Sequence, residues 1–206
     1  RNVCIGDSMV RIFQYLGYTT HTVNYGDDTG VNVGYNIVGH LYYKLPLETE
    51  KKFDHYCGEI YTKMRQNEDD PKFKKKLSET LLKIEEGKDK EIMRFHQKYT
   101  KKCAIAQFES CWRINSYFNL VNWESDILHL KFFEDTIEKL KQDNHIKYLE
   151  EGDLKGCWVL DLAELEDFKG NKNTYQVLIK SDGVATYTAK DIVYAMWKLG
   201  YLKKDF

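Results

Sequence analysis

YTTHTVNYGDDTGVNVGYNIVGHLYY, residues 18–43, reads as a strand, a tight loop and a helix in direct succession. Its first part, YTTHTVNY (18–25), alternates and is rich in Thr, Val and Tyr, side chains that fit a pleated, half-buried surface. GDDTG (26–30) supplies the turn, and a helix is expected from 31 to about 43. Upstream, Val3, Ile5, Met9, Ile12, Phe13 and Leu16 place an apolar stripe on a helix over 2–16, which Gly17 would stop. Helix, strand, loop and helix in that order make one repeat of an α/β sheet.

Beyond Leu45 and Pro46 the character changes. Residues from about 48 to 117 are highly charged and helical, with helices expected over 50–67, 71–86 and 89–117. Asp70 and Pro71 suit the cap and first turn of the second of these. KFKKKLSETLLKIEEGKDKE (72–91) clusters acids and bases alternately, the pattern of a solvated helix face. After 117 the pattern is mixed again. An extended segment over 119–128 leads to a helix over 130–144, and short strands follow at 146–151, 156–162 and 175–180. The last helix covers 186–199 and ends at Gly200. The expected organisation is an α/β beginning (1–45), a charged helical insertion (46–118) and a return to α/β (119–206).

Composition narrows the function classes. The chain has 206 residues, 42% hydrophobic and 31% charged, with a net charge of -1, which suits a globular cytoplasmic protein and argues neither for nor against nucleic acid. No apolar run approaches the roughly 20 residues that cross a bilayer, so no membrane partner is expected. RNVCIGDS lacks the layout of a cleavable signal peptide and has no initiator Met, so the chain is expected to be processed or cut from something longer. The five cysteines form no CxxC pair, and neither they nor the six histidines show metal-ligand spacing, so no metal site is expected and reduced thiols are. Ser8, Ser125 and Ser181 sit in no G-x-S-x-G elbow. His21 and His40 are read as structural, and no catalytic residue is assigned.

Three stretches can bind. GDDTGVN (26–32) follows a strand, where ligand loops of parallel sheets lie, making Asp28, Gly30 and Asn32 a possible active-site loop. WESD (123–126) mixes an acid with a hydroxyl, although Ser125 or Asp126 would equally cap a helix. In LIKSDGVATYTAKDIVYA (178–195), Tyr187 and Asp191 stand one turn apart on a helix, about 5–6 Å between Cβ atoms. A phenol beside a carboxylate suits a planar cation, and it also suits plain packing. IGDSMVR (5–11), with Gly6 and Asp7 near a helix start, reads as ordinary helix.

Four of these segments, in order, resemble the arginyl-tRNA synthetase family, a class I aminoacyl-tRNA synthetase. RNVCIGDSMVRIFQYLGY (1–18) is similar to the helix that follows that family's HxGH signature. VNYGDDTGVN (23–32) resembles its next strand and loop, and NLVNWESDILHLKFF (119–133) its Y-D-x-x-x-x-E-S segment. KGCWVLDL and VLIKSDGVATYTAKDIVYAMWKLG (177–200) resemble its run of W-V-x-D and L-x-K-S-D-G-x-x-T-Y-x-x-x-D-I-A-Y. Position 26 is Gly where one branch has Ile, and position 32 is Asn where Gln is usual. The matching segments cover roughly half the chain.

The resemblance implies an internal part of a Rossmann-type class I catalytic domain interrupted by a mainly helical α+β insertion. It implies that Tyr187 and Asp191 bind arginine, with helix 186–199 as the arginine-pocket helix. It further implies a parent that activates L-arginine with ATP, with Mg2+ and without a prosthetic group, and loads tRNA(Arg) in the cytoplasm as a monomer. The lysine-rich helices between 48 and 117 are candidates for tRNA phosphates. HxGH and a KMSKS-like loop are absent from these 206 residues, so the isolated chain is expected to be inactive. Two rivals stand beside this reading. A class I enzyme of another specificity is one, although Asp191 would repel a glutamate substrate. A non-catalytic module that kept the fold and binds tRNA or protein is the other.

Overall fold

The computed structural model describes residues 1–47, 49–171 and 173–202. The chain forms two compact units, Arg1–Ser125 and Asp126–Phe206.

The first unit opens with α1 (Asn2–Tyr15), none of whose residues is buried; Ile5, Met9, Ile12 and Leu16 are all exposed. Gly17, at φ +87°, ends it as expected. Strand β1 (Val23–Gly26) is shorter than the expected 18–25, because its partner β2 (Leu120–Trp123) offers a ladder only from Val23↔Leu120 to Gly26↔Trp123. Ahead of that ladder, Thr22 and Asn119 tie the strands together through their side chains: the Thr22 amide donates to Asn119 Oδ1 at 2.8 Å, and the Asn119 amide to Thr22 Oγ1 at 3.1 Å. The pair is parallel, which demands a crossover, and the helices between the strands supply it.

Those helices are α2 (Val31–Leu41), α3 (Phe53–Arg65), α4 (Pro71–Glu86) and α5 (Lys90–Arg113). α2 is buried throughout residues 34–40 and packs on α3 and α4. Gly34 allows this: a Cβ there would stand 2.8 Å from Leu81 Cδ2 and 2.9 Å from Leu77 Cδ1. Tyr35, Val38, Ile60, Met64 and Phe73 form one cluster; Phe53, Cys57, Tyr99 and Ala106 form another. Asp70 caps α4 as expected, accepting from the Lys72 amide at 2.9 Å. Asp89 does the same for α5 through the Ile92 amide at 3.1 Å. α5 stops at Arg113, short of the expected 117, because Asn115 takes a left-handed φ of 59°.

Residues 119–128 are not extended throughout. Only β2 is, and α6 (Glu124–His129) follows at once. In the second unit, Lys131 at φ 61° separates α6 from α7 (Phe132–Gln142). Strands β3 (Ile146–Tyr148), β4 (Trp158–Asp161) and β5 (Tyr175–Ile179) form an antiparallel sheet in sequence order, with a 3-10 turn at Glu166–Phe168 between β4 and β5. α8 (Tyr187–Lys198) starts at Thr186, whose Oγ1 accepts from the Ala189 amide at 3.4 Å, and Gly200 at φ +77° follows its end. Ile137, Ile146, Leu178 and Ala189 are the core, with Trp158 and Ile192 packed on it. Architecture is therefore α/β: helices around a small parallel pair in one unit and beside an antiparallel sheet in the other.

Candidate functional site

The loop after β1 is pinned from three sides. Asp28 is 3% exposed, and its carboxylate accepts the Ser125 amide at 2.8 Å and the Ser125 hydroxyl at 2.7 Å. Its carbonyl accepts His96 Nε2–H at 2.5 Å, from a ring on α5 that is fully buried, with Nδ1 lacking a hydrogen-bond partner. The same Nε2 lies 3.7 Å from Asp28 Oδ2. Thr29, also buried, donates to Glu124 Oε2, and the Tyr25 hydroxyl donates to Glu124 Oε1 at 3.4 Å. Buried carboxylates are tolerable only when so satisfied. The outcome is a loop whose shape is dictated by α5 and by the start of α6.

Within the loop, Asp27 Oδ1 accepts the Gly30 amide at 3.0 Å, and a Cβ on Gly30 would come within 2.9 Å of that oxygen. Gly26 is required for a similar reason: a Cβ there would sit 2.9 Å from the Trp123 ring. Ser125, a possible helix cap by sequence, instead binds Asp28 from within α6.

Beside this loop, at the carboxyl ends of β1 and β2, the first unit contains a cleft of about 520 Å³. The strand end contributes Tyr25, Asp27 and Trp123, α2 contributes Asn32 and Asn36, and α3 and α5 form its far wall. Asn32 is exposed toward solvent, while Asp28 and Gly30 lie outside the lining. Asp54 adds a carboxylate. Burial raises its pKa, but the Lys52 ammonium at 2.7 Å and the His55 amide outweigh burial and hold it below the usual carboxylate range. A pocket of this kind offers aromatic faces, amides and a net negative edge. It suits a ligand with a planar or cationic part.

Tyr187 and Asp191 belong to the second unit. Both are exposed, Tyr187 at 76%, and they share a face of α8, with the buried Ala189 and Val193 on the other side and the buried Lys190 and Tyr194 flanking the pair. Helix α8 thus holds a phenol and a carboxylate one turn apart on its exposed side. Among the described residues no three His, Cys, Asp or Glu side chains converge as a metal site. No described helix is long and apolar enough to cross a membrane. Residues that local patterns did not reveal are His96 and Glu124. His96 lies 68 positions from Asp28, so no local pattern marks it; Glu124 was visible only as the acid of WESD.

The whole chain, residues 1–206, matches the family model for tRNA synthetases class I (R), catalytic domain. It is 36% identical over 217 residues to an arginine--tRNA ligase of Thermococcus kodakarensis, covering 100% of this chain and 33% of that protein. It is 30% identical over 203 residues to that of Thermus thermophilus, covering 98% of this chain and 33% of the relative. The solved arginyl-tRNA synthetase of Thermus thermophilus superposes with a TM-score of 0.74 at 29% identity, over 98% of this chain and 33% of that one. That of Plasmodium falciparum, at 16% identity and a TM-score of 0.66 over 95% of this chain and 30% of that one, shares the fold. The chain therefore spans about a third of the relatives it matches. On these grounds the chain belongs to the class I (R) tRNA synthetase family and represents part of its catalytic domain.

Proposed function

We propose that the protein carrying this chain is an arginine--tRNA ligase, which activates L-arginine with ATP and transfers the arginyl group to tRNA(Arg). The observation that carries the reading is the Tyr187–Asp191 pair on α8, within a chain that matches the family along its whole length. A guanidinium is planar and permanently charged, so a carboxylate can bind it through two parallel N–H bonds while a phenol stacks on it or bonds to it. Lysine lacks the fork, so the pair selects as well as binds. In the reaction, an arginine carboxylate oxygen attacks the ATP α-phosphorus and pyrophosphate leaves. A tRNA 3′-terminal hydroxyl then attacks the arginyl carbonyl, and AMP leaves. Positioning and charge compensation carry such chemistry, with no covalent enzyme intermediate. Mg2+ would travel with the nucleotide's phosphates, and no step is assigned to a metal held by this chain. Asp28, Gly30 and Asn32 would set the loop beside the reacting groups, and the lysines of α3–α5 would meet tRNA phosphates.

Removing the Asp191 charge deletes a charge-assisted pair worth about 1.5–3 kcal/mol. In the complete natural polypeptide, Asp191→Asn should therefore raise the KM for arginine by about 10- to 100-fold in arginine-dependent pyrophosphate exchange, with KM for ATP little changed. With tRNA(Arg) present in the assay, an unchanged arginine KM would remove Asp191 from the pocket, and the absence of both arginine-dependent exchange and arginylation of tRNA(Arg) by the unsubstituted protein would remove the function. The same exchange assay run with lysine in place of arginine tests the specificity argument.

A further inference from the structure

The cleft of the first unit contains two thiols that the proposed reaction does not use. Cys57 on α3 and Cys103 on α5 both line it, and Cys103 packs against the cluster that contains Cys57. Both are free, and their surroundings treat them differently. The single Tyr99 hydroxyl proton is shared between Asn36 Oδ1 at 2.8 Å and Cys57 Sγ at 3.1 Å. Cys103 Sγ is approached by the Gln107 amide at 3.8 Å. Hydrogen bonding from the Cys103 thiol favours the Cys57 thiolate against burial and the nearby Asp54 charge, and that same bond, with burial, pushes the Cys103 thiol up. Cys57, 7% exposed, thus meets the cavity through a sulfur that a hydroxyl approaches, and the half-buried Cys103 thiol lines the same wall.

We propose that Cys57 and Cys103 form a modification site for low-molecular-weight disulfides, with Cys57 attacking and Cys103 resolving. The Cys57 thiolate attacks one sulfur of R–S–S–R, the S–S bond breaks, and RS⁻ leaves and takes up the proton that Cys57 gave to solvent. Cys103 then loses its proton, attacks the Cys57 sulfur of the mixed disulfide and expels the second RS⁻. Two protein thiols are oxidised by two electrons in all, and one small disulfide is reduced to two thiols. The product links α3 to α5 across the wall of the cleft. It also takes from Tyr99 one of the two acceptors of its hydroxyl, leaving Asn36 Oδ1. The inference rests on the cleft alone and holds whichever reaction the complete protein performs.

The test treats the complete natural polypeptide with glutathione disulfide and maps its cysteines by differential alkylation and mass spectrometry. Exposed Cys4 and half-buried Cys111 serve as internal controls. A Cys57–Cys103 linked peptide is expected. Cys103→Ser should trap glutathione on Cys57, and in Cys57→Ser the modification of Cys103 should be at least about tenfold slower. A sample in which Cys4 is modified but no linked peptide forms overturns the proposal, as does equal reactivity of Cys103 in Cys57→Ser. A measurement on the unsubstituted protein guards against variants that fold poorly. A trivalent arsenical, which bridges paired thiols, should protect Cys57 and Cys103 together from alkylation, and protection of neither would overturn the pairing.

Discussion

His40 sits among rings, with Tyr99 5.0 Å, Phe95 6.0 Å and Tyr56 6.3 Å from its centroid. It is 6% exposed; Nδ1 donates to the Leu45 carbonyl at 3.0 Å, and Nε2 has no hydrogen-bond partner. Burial disfavours the imidazolium and lowers the pKa from the usual value of 6.5, outweighing the Leu45 carbonyl, which favours it. The sign follows directly. Above that value both folded and unfolded states hold a neutral ring, and stability is undiminished. As pH falls below it the unfolded chain takes up the proton first, and stability is lost at up to about 1.4 kcal/mol per pH unit. Urea midpoints measured between neutral and mildly acidic pH should fall more steeply for the native sequence than for His40→Asn, which keeps a donor without titrating. Parallel slopes would contradict the burial argument. Sequence identified His40 as structural but not its partners, since rings from three helices converge only after folding. The one-turn spacing of Tyr187 and Asp191 on α8 was legible because helical periodicity alone relates them. The links of Asp28 to Ser125 and His96, 97 and 68 positions away, belong to no local pattern.

Helices were read correctly wherever a cap is local. Asp70 with Pro71, and Gly200 after α8, act within a turn of the residues they serve, so their chemistry is visible in a short window. Asp89 does the same for α5, with an added exposed ion pair to Lys83 at 3.1 Å. Surface pairs contribute little, so the cap bond to Ile92 dominates. Asp89→Ala should cost about 1 kcal/mol in chemical denaturation, and Asp89→Ser should recover most of it. Equal losses in the two variants would shift the weight to the ion pair. Strands and breaks fared differently. Propensity extended β1 back to Tyr18, but a strand reaches only as far as its partner does, and β2 begins at Leu120. Lys131 adopts left-handed backbone that its residue type does not announce, and Asn115 does so too, as Asn can, although a lone Asn is too common to mark a helix end by itself. The turn from β2 into α6 was missed because Asp28 and Thr29 capture Ser125 and Glu124 from a distant loop.

At the scale of the molecule, fold class was legible because strand, loop and helix alternate at both ends of the chain, around a charged helical middle. What the chain can accomplish alone is a question of which groups it brings. Adenylate formation needs the arginine carboxylate and the ATP α-phosphate held together, with charge compensation on the departing pyrophosphate. On the proposed function, the 206 residues include the Tyr187–Asp191 pair and the pinned loop after β1, but neither HxGH nor a KMSKS-like sequence, the motifs that the family resemblance implies for ATP. They span about a third of the length of their relatives, and α1 leaves Ile5, Met9, Ile12 and Leu16 exposed. Positioning lost for one reactant alone removes several kcal/mol of barrier lowering, about 7–11 kcal/mol for a fully oriented pair. The purified 206-residue chain should accordingly give no arginine-dependent pyrophosphate exchange above the no-enzyme control, under conditions where the complete polypeptide turns over. Exchange by the isolated chain, surviving repurification and abolished by Asp191→Asn, would mean that phosphate positioning resides in these residues after all, and the cleft beside Asp27, Asn32 and Trp123 would be where to look for it.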